Sequence, residues 1–422
     1  MLLIILNICS VLFLVNRAIF DLKNYNSIIF YYCVCILFFT GIPLLFDSIY
    51  IELFGISSLI NLLMENNSTL SDYRSISKDI LWECSWFILF FNIILLKVYD
   101  WIIGKNKPCY QQLNKEDFFP WIYYFIWGIL GLIIFIILYG FNIQNAGIDY
   151  RSHSTSSLIS GKSIVLMNLF ANMSIAGLFV ALLDKKRIKI LLSILPIAVI
   201  GFLTESRALL IGGVFMFLYY LIYSYRNNIR KNIIIFVFAG LVCTMLLVGL
   251  RRDNIGLLPY PIWRDVSCAD LYYSFANHTF LSTHGSNMLR LITTGLPVYK
   301  MDYVEDITYL LAEIRYFSGW GSLHPTLFGW IFIDLGWYGL FAAIFFGIFI
   351  ALMEKIRIAL SVKWGYMFLP AEFIFITVLC RGSVQYAYSN VIYIFEFFLF
   401  LYFFIKILYL YSSKKYVNCL IE

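Results

Sequence analysis

Long apolar runs dominate this sequence. Runs of roughly twenty residues fall at 2–20, 27–47, 80–98, 119–139, 163–183, 188–204, 206–224, 232–250, 327–350, 366–385 and 389–411. About twenty residues of α-helix, rising ~1.5 Å each, match the ~30 Å hydrocarbon core of a bilayer. A membrane barrel would instead show segments of about ten residues with alternating polarity. In lipid the backbone must satisfy its own hydrogen bonds, which leaves the helix as the solution for this pattern. The runs predict an all-α, polytopic integral membrane protein: a single membrane domain over residues 1–422 with about 11 transmembrane helices.

The longest polar stretches between the runs are 48–79, 140–162 and 251–326, and the sixth and seventh runs are nearly joined by the turn Thr204-Glu205-Ser206-Arg207. Cations set the sidedness, because Lys and Arg are retained in cytoplasmic loops. The densest basic loop, Asp184-Lys185-Lys186-Arg187-Ile188-Lys189, is therefore placed in the cytoplasm. Alternation then puts the N-terminus and the three long stretches outside, and the tail with Lys414-Lys415 inside. On this assignment the inside carries 14 Lys and 5 Arg, whereas the outside carries 9 Arg, 3 Lys and all 4 His. The topology rule explains the inner excess but not the outer preference for Arg. A guanidinium grips phosphate or carboxylate oxygens in pairs, where Lys is a point charge. The outer face is thus expected to receive an anionic, phosphorylated ligand; the competing role for these arginines is interfacial anchoring and pairing with acids.

Composition changes this picture only by exclusion. The chain is 61% hydrophobic, 19% aromatic and 13% charged, against about half apolar and a quarter charged in soluble domains. A soluble globular enzyme, a disordered chain and a nucleic-acid binder are excluded, despite the net charge of +6. The 9 cysteines form no CxxC and no Cys/His ligand spacing, so neither a metal nor a cofactor is expected. The chain opens MLLIILNICS with its first cation at Arg17, so no cleavable signal peptide is expected. No Walker, Rossmann or GxSxG signature occurs, and no internal repeat supports a transporter built from halves.

Candidate chemistry collects on the outer side. The 251–326 stretch is far longer than a connector, and loops of such length are commonly functional. It is rich in aromatics, which suit either sugar rings or an interfacial belt, and Val304, Ile307, Leu311 and Ile314 recur at helical spacing within 302–317. Arg251-Arg252 close the eighth run, Arg290 and Arg315 lie in the long stretch, and Arg151 lies in the middle one. Glu205 and Arg207 share the tight turn. His324 sits in Gly319-Trp320-Gly321-Ser322-Leu323-His324-Pro325-Thr326, just before a long run. An imidazole there could take a proton from a hydroxyl or bond a phosphate. Asp334 follows ten residues later, expected ~10 Å below the outer surface if the run begins there. His153 and His278 read as plain loop residues, and Glu83 and Glu372 as structural acids.

The segment Gly321–Thr326 with Phe332-Ile333-Asp334-Leu335-Gly336-Trp337-Tyr338-Gly339-Leu340 resembles O-antigen polymerases of the Wzy type and the related O-antigen ligases. These show a histidine at a loop end followed by a helix with a Gly-x-x-Gly step. The run from Gly201 to Ile211 is similar to their S-R-x-x-L turn, here Ser206-Arg207-Ala208-Leu209-Leu210. The topology, with a middle and a large exterior loop, extends the likeness over the whole chain. The resemblance implies a GT-C-like, metal-independent glycosyltransferase at the periplasmic face of a bacterial inner membrane. It would join oligosaccharide repeat units carried on undecaprenyl diphosphate, with the growing glycan as donor, a new unit as acceptor and a chain-length regulator protein as a further partner. The diphosphate leaving group would be met by Arg207, Arg251, Arg252, Arg290, Arg315 and Arg151, since developing charge needs fixed cations. The acceptor hydroxyl would be activated by His324, or by Asp334 or Glu205. Arg151 is followed by Gly161, one residue short of the R-x10-G spacing some polymerases carry. A ligase transferring the finished glycan to lipid A-core shares these features, and a flippase for lipid-linked oligosaccharide is the rival of another class.

Overall fold

The computed structural model describes residues 1–24, 27–65, 75–104, 117–139, 158–203, 207–224, 269–294, 307–308, 310–311, 325–360, 362–385, 387–388, 391–392, 396, 402–404 and 406–407. Every regular element among them is helical. In chain order these are α1 (Leu2–Asn24), α2 (Ile28–Ile36), α3 (Ile42–Phe54), α4 (Ile56–Glu65), α5 (Lys78–Ile103), α6 (Trp121–Tyr139), α7 (Leu158–Leu183), α8 (Arg187–Leu203), α9 (Arg207–Ser224), α10 (Ala269–Ala276), α11 (His278–Leu281), α12 (Ser286–Thr294), α13 (Thr326–Leu335), α14 (Leu340–Ala359) and α15 (Val362–Arg381). Among the described residues, five segments are long and apolar enough to cross a membrane: Leu2–Lys23, Ile28–Phe54, Lys78–Ile103, Thr326–Ala359 and Trp364–Arg381. The protein is a helical membrane protein. The expected run 232–250 lies outside the described residues.

The long helix α5 is the ruler of the bundle. Its start, Lys78, pairs with Glu52 of α3 at 2.6 Å; its far end meets α1, where Arg17 grips Asp100 through two bonds of 2.5 and 2.8 Å. We call the Lys78 end upper and the Asp100 end lower; the charge rule would make the upper end exterior. Glu83 and Glu372 both meet protein partners, as structural acids should. Near the upper end Glu83 accepts the indole N–H of Trp337 at 2.7 Å. Near the lower end Arg357 pairs with Glu354 on its own helix and with Glu372 at 3.1 Å. Glu354 also accepts the backbone N–H of Ile28 at 2.8 Å and the Tyr99 hydroxyl at 3.1 Å. Buried charges in apolar surroundings persist where they are paired in this way.

Two features depart from the pattern of simple spans. Between α2 and α3 the chain widens into a π-helical turn, Leu37–Gly41. Pro43 follows in the first turn of α3; it has no N–H to give and its ring displaces the carbonyl four residues back, which opens the helix there. The second departure corrects an expectation. The run 327–350 is not one helix but two, α13 and α14, joined by the 3-10 turn Gly336–Gly339. Gly336 takes φ +55, a conformation that a β-carbon resists.

The direction of α13 follows from its ring contacts with α5. Phe328 packs on Phe91 at 5.4 Å, and Phe332 on Phe87 at 5.1 Å. Phe91 lies midway along α5, level with the Tyr32–Asn92 hydrogen bond of 2.8 Å, and Phe87 is one turn higher. So α13 starts inside the bundle and climbs to the upper end, where Trp337 turns the chain back into α14. Helix α14 then descends beside α5. Gly347 permits that approach: a β-carbon there would lie 2.9 Å from the Leu95 carbonyl oxygen.

Part of the stretch expected as an exterior loop, residues 269–294, packs on the bundle. Phe275 of α10 stacks on Phe332 at 3.8 Å, and Ser274 faces Gly329, where a β-carbon would lie 3.2 Å away. Tyr272, fully buried, donates its hydroxyl to Asp47 of α3 at 2.7 Å. Apolar burial thus fixes α10 beside α13. Ile307 and Leu311, picked out by their helical spacing, are helical and buried; the remainder of 302–317 that is described is Thr308 and Leu310.

Candidate functional site

Among the helix N-termini in the upper half of the bundle, those of α12 and α13 differ in how their N–H groups are met. A helix start leaves its first N–H groups without intrahelical acceptors and carries partial positive charge. At the start of α12 these demands are met from within the protein. Asp334, at 1% exposure, accepts the N–H of Met288 at 2.7 Å on one oxygen. Its other oxygen accepts the N–H of Asn287 at 3.2 Å and the hydroxyl of Thr283. The N–H of Gly285 donates to the backbone carbonyl of Asp334 at 2.8 Å. His284 and Gly285, at φ +50 and +81, shape the turn that brings these donors round the carboxylate.

This environment bears on the role of Asp334. Because α13 climbs, Asp334 lies nearer the upper end than Thr326 does, the reverse of the depth expected from a descending run. Its carboxylate is closed off and holds three donors. Asp334 is a positioning group that fastens α12, and Arg290 with it, to α13. Arg290 sits one turn beyond Asn287 and is half-buried.

The start of α13 is different. Its N-cap is Pro325, which contributes no side-chain cap. Thr326, the first helical residue, is fully buried, and its hydroxyl has no hydrogen-bond partner. It also holds φ +62, an uncommon conformation for a β-branched residue. Against it lies the end of α15. Gly382 takes φ +107, and a β-carbon on it would sit 2.6 Å from the Thr326 nitrogen. The N–H of Gly382 donates to Leu379 at 3.0 Å and that of Ser383 to Val378 at 3.2 Å, the Schellman arrangement that ends a helix at glycine.

After Gly382 the chain turns back down. Tyr388 packs on Phe349 at 4.8 Å, which itself packs on Phe375 at 5.3 Å, and Tyr402 meets Trp364 at 5.8 Å. The described residues Tyr388 and Tyr402 therefore lie progressively lower beside α14 and α15, and the turn at Gly382 lies beside the start of α13. Irregular backbone at such a depth is found where it is enclosed by protein or lines a cavity.

Helix α9 brings a third end to this level. A β-carbon on Gly212 would lie 2.8 Å from Ile374, and the Tyr219 and Tyr366 hydroxyls share a hydrogen bond of 2.9 Å. The two helices run antiparallel, and continuing that register sets the first residue of α9, Arg207, level with Leu379 in the last turn of α15. The start of α9, the end of α15 with Arg381, and the start of α13 therefore share one level. Of the other residues proposed from sequence, His324, Glu205, Arg251, Arg252, Arg315 and Arg151 lie outside the described residues, as does the Arg207 side chain. His278, read as a plain loop residue, bonds the Phe275 carbonyl at 3.0 Å and packs on Phe332 at 4.9 Å.

Sequence reasoning missed Thr326 and Gly382. The apolar run expected from 327 did place a helix directly after Pro325; nothing local announced that the helix begins midway through the bundle. Among the described residues no group of three or more His, Cys, Asp or Glu is arranged to hold a metal.

The fold and site define a polytopic helical membrane protein with helix ends converging inside the bundle. No protein-family model matches the chain, and neither a curated protein nor a solved structure matches it.

Proposed function

We propose that the protein is a polymerase of oligosaccharide repeat units carried on undecaprenyl diphosphate, working at the periplasmic face of a bacterial inner membrane as a metal-independent glycosyltransferase with a GT-C-like plan of about 11 spans. The carrying observation is that two helix starts next to the segments bearing the family resemblance, that of α9 at Arg207 and that of α13 at Thr326, are far apart in sequence yet level with each other inside the bundle. A diphosphate leaving group needs cations and oriented N–H groups aimed at its charge, and Arg207 and the start of α13 supply candidates for both. Arg151, Arg251, Arg252, Arg290 and Arg315 complete the cationic set, and His324, directly before Pro325, is the acceptor base, with Glu205 next.

A second reading draws on the same helix ends. Half-helices whose N-termini point at anionic groups midway through a bundle are a device of carriers, so a carrier of lipid-linked glycan is the alternative. One experiment separates these. Surface lipopolysaccharide from a strain lacking the gene is run beside its pool of lipid-linked intermediates. A single-repeat band in place of a ladder supports the polymerase. Loss of glycan from the core with long lipid-linked polymer accumulating points to a ligase. Loss of glycan with only single lipid-linked units accumulating points to the carrier, and an unaltered ladder overturns all three.

A further inference from the structure

We propose that the first turn of α13, residues 326–328, is a phosphate-binding site, with the backbone N–H groups of that turn and the Thr326 hydroxyl as its donors. This deepens the polymerase reading, on which it rests for the identity of the ligand: the phosphate is one of those in the lipid diphosphate. Three observations carry it. The helix is ten residues long and begins with no side-chain cap, so its first-turn N–H groups point out of the helix end. The Thr326 hydroxyl is at 0% exposure with no partner, although a buried hydroxyl is normally hydrogen-bonded. The backbone of Gly382, one residue beyond Arg381, presses on Thr326 itself, which fixes the turn in place.

The electrostatics favour an anion. A helix start carries about half a positive charge, and phosphates and carboxylates are its usual ligands. The α12 start confirms the preference within this same protein, because there Asp334 supplies the negative charge. The acid of α10 on this side is Asp270, a turn before Ser274; it is half-buried and engaged with another group. A diphosphate presents several acceptor oxygens, enough for first-turn N–H groups and a hydroxyl together. A neutral sugar would leave the helix charge unanswered.

The test uses the full-length protein in detergent with three probes: farnesyl diphosphate, inorganic pyrophosphate and farnesol. Affinity is measured for the wild type, Thr326→Val and Thr326→Asp. Thr326→Val keeps the branched shape and removes the hydroxyl, and should weaken diphosphate binding about tenfold. Thr326→Asp places a carboxylate at the helix start and should abolish binding while leaving the protein folded, as read from its thermal midpoint. If pyrophosphate and farnesyl diphosphate both bind and both weaken in Thr326→Val, the site takes the anion from either source. If only farnesyl diphosphate does so, it takes the lipid head group. The proposal is overturned if neither diphosphate binds the wild type, if both variants bind as the wild type does, or if farnesol binds as tightly as farnesyl diphosphate. The gene-deletion ladder is read separately: Thr326-dependent binding with an unaltered ladder leaves the site and removes the polymerase reading, and the converse removes the site alone.

Discussion

The starts of α12 and α13 pose one physical problem and receive two answers. Both helices expose N–H groups and partial positive charge in the upper half of the bundle. At α12 a buried carboxylate, Asp334, meets them through bonds of 2.7 and 3.2 Å and ties in the Thr283 hydroxyl as well. At α13 the N-cap is a proline and the Thr326 hydroxyl is buried without a partner. The first arrangement is complete and serves stability. The second leaves a buried hydroxyl open, which is the ground for the proposed phosphate site. The contrast teaches where to seek function in an apolar protein: at a polar demand that neighbouring side chains leave open, more than at an acid that the sequence makes conspicuous. The lower end repeats the closed pattern, with Arg17 held by Asp21 and Asp100, and Arg357 by Glu354 and Glu372.

The contrast breaks most visibly at Asp334. Asp334→Ala removes a carboxylate from three donors in a buried place and should cost about 3 kcal/mol or more. Urea or thermal unfolding of the purified protein should show this, with Asp334→Asn recovering part of the loss. If Asp334→Ala is as stable as the wild type, α12 is not fastened in this way. Gly382→Ala comes next. It meets φ +107 and a backbone atom at 2.6 Å, and should cost about 2 kcal/mol, read from the same unfolding curves. The smallest effect has the opposite sign. Thr326→Gly relieves φ +62 and should raise stability by about 1 kcal/mol, while weakening farnesyl diphosphate binding. A residue kept at the expense of stability in this way is one retained for binding.

Much of the architecture was legible because lipid leaves the backbone few options. Apolar runs such as 80–98 and 206–224 correspond closely to α5 and α9. Sequence failed where the same apolar composition serves two geometries. Residues 327–350 read as one span because Leu, Phe, Trp and Ile look alike on either side of a turn, and only Gly336 and Gly339 hinted at the break. The polar stretch 251–326 read as a loop, and composition does not say which of its serines, threonines and asparagines pack against apolar helices. In the bundle Ser274 packs on Gly329 and Asn287 lies against Asp334. For the site, Asp334 was visible as an acid within an apolar run, and His324-Pro325-Thr326 as the approach to that run. Whether either faced an open or a satisfied partner depends on contacts such as those between Thr326 and Gly382, which are 56 positions apart and leave no local trace.

The central claim is that the start of α13 receives the anionic group of the ligand. The most direct test is an electron cryo-microscopy map of the full chain in a lipid nanodisc with farnesyl diphosphate. The account predicts phosphate density within hydrogen-bond reach of the first-turn N–H groups of α13 and the Thr326 hydroxyl, beside Gly382. Phosphate density seated elsewhere, for example on the Arg290 face of α12, with the first turn of α13 bonded to protein groups alone, would contradict it.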